Sequence, residues 1–270
     1  MKGRSAPTMV LSASRDEIAG VLRARRHRLA LLAALTAVAA LAWAYLLGPA
    51  HLAMNAGGHG MQAMPRWTAA HGALTFAMWG VMMAAMMLPS AVPSILTYAR
   101  VVPRIAPSQN PFTSAAAFTS AYLTVWTVFA LVATVLQWAL NGAALMTPGM
   151  STSSDLLGGL LLMLAGLYQL SPTKDLCLRQ CQSPLTFVAF YWSPDVRGGF
   201  AMGVRHGIYC VGCCWALMLL LFVGGIMNLL LVAAIAGFVL LEKLVPAGTR
   251  VVRWVSALGL GAAGVTFIVA

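Results

Sequence analysis

The sequence predicts an all-α protein: a polytopic transmembrane helical bundle of about seven spans (six to seven), with its N-terminus in the cytoplasm. Three observations carry this. Hydrophobic residues make up 60% of the 270-residue chain and charged residues only 9%, against roughly 25% in an ordinary soluble domain. Several stretches run for about 18 or more residues almost without charge, enough to cross a hydrocarbon core of roughly 30 Å as a helix. The net charge of +11 gathers in segments that fall on one side of the expected bilayer, as the positive-inside rule requires.

The elements follow in order. Residues 1–28 form a basic cytoplasmic segment, ending in "RARRHR". Residues 29–270 form a single transmembrane helical domain with no fixed-period repeat. Its first span is 29–47. The rival reading of this run is a signal peptide, but it is as long as a true span and no clear small-residue cleavage site follows. The second span, 71–98, holds Pro89 and Pro93; Pro89 removes a backbone hydrogen bond and is expected to open the helix there. The third and fourth are 114–140 and 155–170. "LTFVAFYW" is too short to span and reads as an interfacial or re-entrant piece. The last three spans are 205–223, 227–241 and 254–270. Segments 1–28, 99–113, 171–206 and 242–253 then lie inside and hold seven, two, four and three Lys or Arg, leaving Arg66 outside. The asymmetry fits a bacterial inner (plasma) membrane protein and explains the basic balance without a nucleic-acid partner.

All five cysteines fall at or near the expected inner face, where thiols stay reduced. On a helix, residues i, i+3 and i+4 share a side. Cys210, Cys213 and Cys214 therefore lie on one arc, expected in the first turns of the fifth span, and His206 joins them one turn earlier. Gly203 and Gly207 on the same side admit a close neighbour. Cys177 and Cys181 are spaced i, i+4 and face together if their loop is helical. Thiolates in this density suit a soft metal, copper(I) first, with zinc or iron as alternatives. The bland reading is that each Cys is a small buried hydrophobe.

The opposite side carries thioethers and imidazoles. "HLAMNAGGHGMQAMP" holds His51, Met54, His59, Met61 and Met64 in a loop expected to be periplasmic. Such ligands suit copper(I) and persist where thiols would oxidise. In the second span Met78, Met82 and Met86 form a stripe below His71, while Met83 and Met87 are expected to face elsewhere. A methionine stripe is also ordinary packing material. Glu242 ends the sixth span; its expected roles are an ion pair with Lys243 or an inward Arg, or an acceptor that orients His206.

"MWGVMMAAMMLPSAVPSILTYAR", "YQLSPTKDLCLRQCQSP" and "GIYCVGCCWALMLLLFVGGIMNLLLVAAIAGFVLLEKLVP" resemble a bacterial family of uncharacterised, predicted metal-binding integral membrane proteins. The resemblance spans about residues 67–246. It implies metal binding and carries over Cys177, Cys181, Cys210, Cys213, Cys214, Met78, Met82, Met83, Met86, Met87, Glu242 and Lys243 as motif positions. It supplies no reaction.

The function expected from these readings is copper(I) handling: collection by the outer His/Met loop, passage along the methionine stripe, and receipt by the Cys cluster. The expected partners are the bilayer, the metal ion, and a metallochaperone or other membrane subunit. A transmembrane thiol–disulfide oxidoreductase and an assembly scaffold with a structural metal are the rival readings. Walker, dinucleotide-binding and nucleophile-elbow motifs are absent from the sequence, so neither ATP-driven transport nor hydrolysis has a basis in it.

Overall fold

A computed structural model describes residues 6–50, 67–147, 150–193, 195–245 and 249–269, with side chains from residue 25 onward except at 49, 50 and 249. Its described residues form nine α-helices and no strand, only one isolated bridge between Met146 and Thr152. The all-α expectation holds. The helices are α1 (Ala6–Tyr45), α2 (Ala69–Ile105), α3 (Pro111–Gly142), α4 (Asp155–Gln169), α5 (Pro172–Gln182), α6 (Pro184–Tyr191), α7 (Val196–Gly224), α8 (Leu229–Leu244) and α9 (Thr249–Val269). A π-helical turn, Leu46–Ala50, follows α1.

Among the described residues five segments are long and apolar enough to cross a membrane: Arg25–Gly48, Ala69–Ile105, Pro111–Gly142, Val196–Gly224 and Arg250–Val269. A sixth is made if α4 and α5, bent by 64° at their junction, count as one. The expected sixth span is the exception: α8 has 16 residues, about 24 Å at 1.5 Å per residue and short of a full crossing. The shortfall has a local cause in each case. Pro172 starts a new helix after α4, and Gly225, at φ 89°, stops α7 before the Asn228-capped start of α8.

Helix α2 forms the centre. It packs on α1, α3, α6 and α8, and α3 packs in turn along α7. Contrary to expectation, α2 runs unbroken through Pro89 and Pro93. The carbonyl that Pro89 cannot satisfy belongs to Ala85, four residues earlier, and the indole Nε1 of Trp43 on α1 donates to it at 3.1 Å. A neighbouring helix thus repairs the gap, which is how prolines survive in such helices. Trp43→Phe, which keeps the ring and removes the donor, is expected to cost about 1–3 kcal/mol. A shift in the unfolding midpoint in detergent micelles measures it.

Close packing of α7 on α3 depends on Gly203, where a Cβ would lie 2.8 Å from the Ala121 side chain and 2.9 Å from the Phe118 carbonyl carbon. At the other end of the bundle α4 and α9 pack together. Where α4 ends, its last carbonyls are taken by Arg253 of α9: Nε donates to the Gln169 carbonyl at 2.6 Å and Nη2 to that of Ser171 at 3.2 Å. The same guanidinium pairs with Asp175 at 2.8 Å.

Candidate metal centre

Helix α7 starts at Val196, nine residues before the expected start of the fifth span. Cys210 therefore lies at the midpoint of a 29-residue helix rather than in its first turns. The expectation failed because Arg197, Gly198, Gly199 and Arg205 read as loop, whereas Gly199 lets the helix lie close against Tyr98 of α2 and the Ser114 carbonyl of α3. Cys210, Cys213 and Cys214 are all buried, with relative exposures of 0, 1 and 1%. The helical arc inferred from their spacing is present.

Three other helices bring polar and sulfur groups to this point. From α8, Lys243 donates to Cys210 Sγ at 2.9 Å and to Ser90 Oγ at 2.8 Å. Its placement follows from the chain: Cys210 lies fourteen residues before the end of α7 and Lys243 fourteen residues after the start of α8. From α3, the Tyr122 hydroxyl lies 3.1 Å from Cys210 Sγ and donates to the Met87 carbonyl at 3.0 Å. From α2, Met87 Sδ lies 4.0 Å from Cys214 Sγ. Ser90 Oγ donates to the Met87 carbonyl at 2.8 Å.

The Cys177–Cys181 segment is helical, as α5. Cys181 is buried and within side-chain hydrogen-bonding reach of Cys210 and Cys213. Cys177 is half-buried and lies over Gly212, whose missing Cβ would stand 2.7 Å from the Cys177 sulfur. Cys213 and Cys214 turn their thiols onto the Cys210 carbonyl, at 3.1 and 3.0 Å. All five cysteines are free. Among the described residues no three His, Cys, Asp or Glu side chains converge as a metal site. The Met87 thioether joins the buried thiols of Cys181, Cys210, Cys213 and Cys214 through Cys214.

His206 is buried one turn before Cys210. Its ring lies among Phe118, Tyr122 and Phe187, with centroids 5.7, 5.8 and 5.2 Å away. Its Nδ1 has no hydrogen-bond partner. The short "LTFVAFYW" segment is the helix α6, which supplies Phe187 to this cage.

Glu242 engages neither His206 nor Lys243 through an ion pair. It pairs with Lys174 of α5 at 2.8 Å, both side chains almost wholly buried. Gln169 bridges them, accepting from Lys174 and donating to Glu242 at 3.4 Å. Neighbours in sequence on a helix point about 100° apart, so Glu242 and Lys243 serve different clusters.

On α2, Met82 and Met86 are buried and Met78 is half-buried. Met83 and Met87, expected to face elsewhere, are buried more completely still, and Met87 is the methionine at the cysteines. His71 sits in the first turn of α2 beside Trp67, with ring centroids 4.9 Å apart, and its Nε2 is buried without a partner. His51, Met54, His59, Met61 and Met64 lie outside the described residues.

Met87, Ser90, Tyr122 and Lys243 are the site residues that spacing alone did not assign. The one signal available was Lys243 itself, a cation closing an apolar run, since such residues pair or mark a function.

The helices define a class: an all-α protein with several helices long and apolar enough to cross a membrane, and with buried thiols beside a thioether and a lysine. The chain belongs to the PpoB2 family, described as copper chaperone, whose family model matches residues 76–267. This range overlaps most of the stretch that resembles predicted metal-binding membrane proteins. No curated protein and no solved structure matches the chain.

Proposed function

We propose that this protein binds copper(I) inside a membrane helix bundle and passes it to a partner. The observation that supports the reading is a buried set of sulfurs drawn from three helices, Cys181, Cys210, Cys213 and Cys214, with the Met87 thioether 4.0 Å from Cys214 Sγ. Thiolates and thioethers are the donors that select copper(I), and the family description names the same metal. Two soft sulfurs satisfy copper(I), so a cluster with five permits hand-over from one pair to the next.

Cys210, Cys214 and Met87 are the first ligands in this reading, with Cys181 and Cys213 in exchange range. Cys177 lies at the half-buried edge of the group, towards which the ion would leave. His206 is available through its unpartnered Nδ1. The methionines of α2 support an inward path: from His71 to Met87 the helix rises about 24 Å at 1.5 Å per residue, with Met78, Met82, Met83 and Met86 between them. Collection by His51, Met54, His59, Met61 and Met64 is the outer step of the same proposal.

Protein purified anaerobically from copper-supplemented cells is expected to carry copper, measured by mass spectrometry of the metal. A Cys210→Ser/Cys213→Ser/Cys214→Ser variant, inserted at the same level, is expected to carry less than a tenth as much. Equal copper in both would sink the reading. Zinc or iron lost in place of copper would keep the site and change its cargo. No metal in either protein, with a disulfide trapped on oxidation, would favour a thiol oxidoreductase.

A further inference from the structure

A second site lies away from the sulfur cluster, where α1, α2 and α3 meet at their basic ends. A cavity of about 190 Å³ opens there, lined by His27, Arg28 and Leu31 of α1, by Leu96, Ala99, Arg100, Pro103 and Arg104 of α2, and by Pro111. Arg100 and Arg104 are one helical turn apart and so share a face. Arg28 faces them from the neighbouring helix.

The three arginines are exposed at the rim and add their positive potential at one cavity, which attracts an anion. The described residues supply none: their ion pairs are Lys174–Glu242, Arg179–Asp175 and Arg253–Asp175. A fourth positive element adds to the demand. Pro111 is the first residue of α3, and a helix N-terminus carries about half a positive charge. The walls between the arginines are apolar, with Leu31 and Leu96 both buried. Beyond them α1 continues outward with Leu29, Val38 and Leu41 exposed. Cationic rim, apolar wall and an exposed apolar flank together match a molecule with a phosphate at one end and hydrocarbon at the other.

We infer that this cavity binds the headgroup phosphate of an anionic glycerophospholipid, whose acyl chains lie along α1. Basic pockets between membrane helices on the cytoplasmic side take such headgroups, and each arginine near an anionic surface strengthens binding about fivefold. The lipid would hold α1 against α2 at the end opposite the Trp43–Ala85 bond. The inference does not depend on copper binding.

The test uses the full chain in a neutral detergent, titrated with phosphatidylglycerol or phosphatidylcholine and read by native mass spectrometry. Phosphatidylglycerol adducts are expected to dominate. An Arg28→Gln/Arg100→Gln/Arg104→Gln variant is expected to lose about a hundredfold in that preference. An Arg197→Gln/Arg205→Gln/Arg250→Gln variant, matched in charge, is expected to keep it. Ala99→Phe, which fills the cavity without changing charge, is expected to weaken binding too and guards against misfolding of the triple variant. Equal adducts of the two lipids, or equal loss in both triple variants, would overturn the inference. Displacement of the lipid by millimolar inorganic phosphate alone would overturn it in favour of a free-anion site.

Discussion

Lys174→Met is expected to destabilise the protein by about 3–5 kcal/mol, because it leaves the Glu242 carboxylate buried without its cation. Lys174 has no exposed surface and Glu242 is 2% exposed, so water cannot replace the lost partner. Gln169 remains within 3.4 Å of Glu242, but one neutral donor does not compensate a buried charge. The double variant Lys174→Met/Glu242→Leu is expected to regain most of the loss, since a buried ion pair exchanged for hydrophobic groups is often near neutral. Unfolding midpoints in mixed micelles of increasing denaturing-detergent fraction measure both. A single variant as stable as wild type, or a double variant no better than the single, would show that the pair does not hold α5 against α8.

Lys243→Met is expected to weaken copper(I) binding by about tenfold to a hundredfold while leaving the helix content unchanged. Copper(I) held by two thiolates carries one net negative charge. Within the bundle that charge has one direct ammonium neighbour, Lys243, 2.9 Å from Cys210 Sγ among the described residues. Hydrogen bonds to charged groups are worth about 1.5–3 kcal/mol, which sets the range. A competition titration against a coloured copper(I) chelator, under anaerobic conditions, gives the ratio. Unchanged affinity would mean that the sulfurs bind copper away from Cys210, and Met87→Leu, which removes only the thioether, would then be the more damaging change.

Much of this fold was legible because a few strong patterns determine it. Long uncharged runs marked α1, α2, α3 and α7 as helices long and apolar enough to cross a membrane, and the i, i+3, i+4 spacing put Cys210, Cys213 and Cys214 on one arc. Helix lengths were less legible. The arginines and glycines ahead of Cys210 resemble a loop in composition, yet Gly203 is what allows α7 to lie on α3. Pro89 read as a break because its repair comes from Trp43, forty-two residues before the carbonyl it serves. The same distance problem hid half the site. Tyr122 and Lys243 reach Cys210, Met87 reaches Cys214 and Ser90 holds Lys243, from three separate helices, and local periodicity carries no information about which helix will lie opposite. Glu242 was misassigned for a simpler reason. Its neighbour in sequence is on a different face of the helix, and its true partner is 68 residues away.

The four buried charges Lys174, Glu242, Lys243 and Arg253 also constrain how the chain is made. A charged side chain on a lone membrane helix is costly unless it pairs or reaches water. Helix α8 ends in two of them, and their partners belong to α2, α5 and α7. Released alone into lipid, α8 would carry both uncompensated. Because α2, α5 and α7 all precede α8 in the chain, they are best kept together until α8 joins them and its two charges meet their partners.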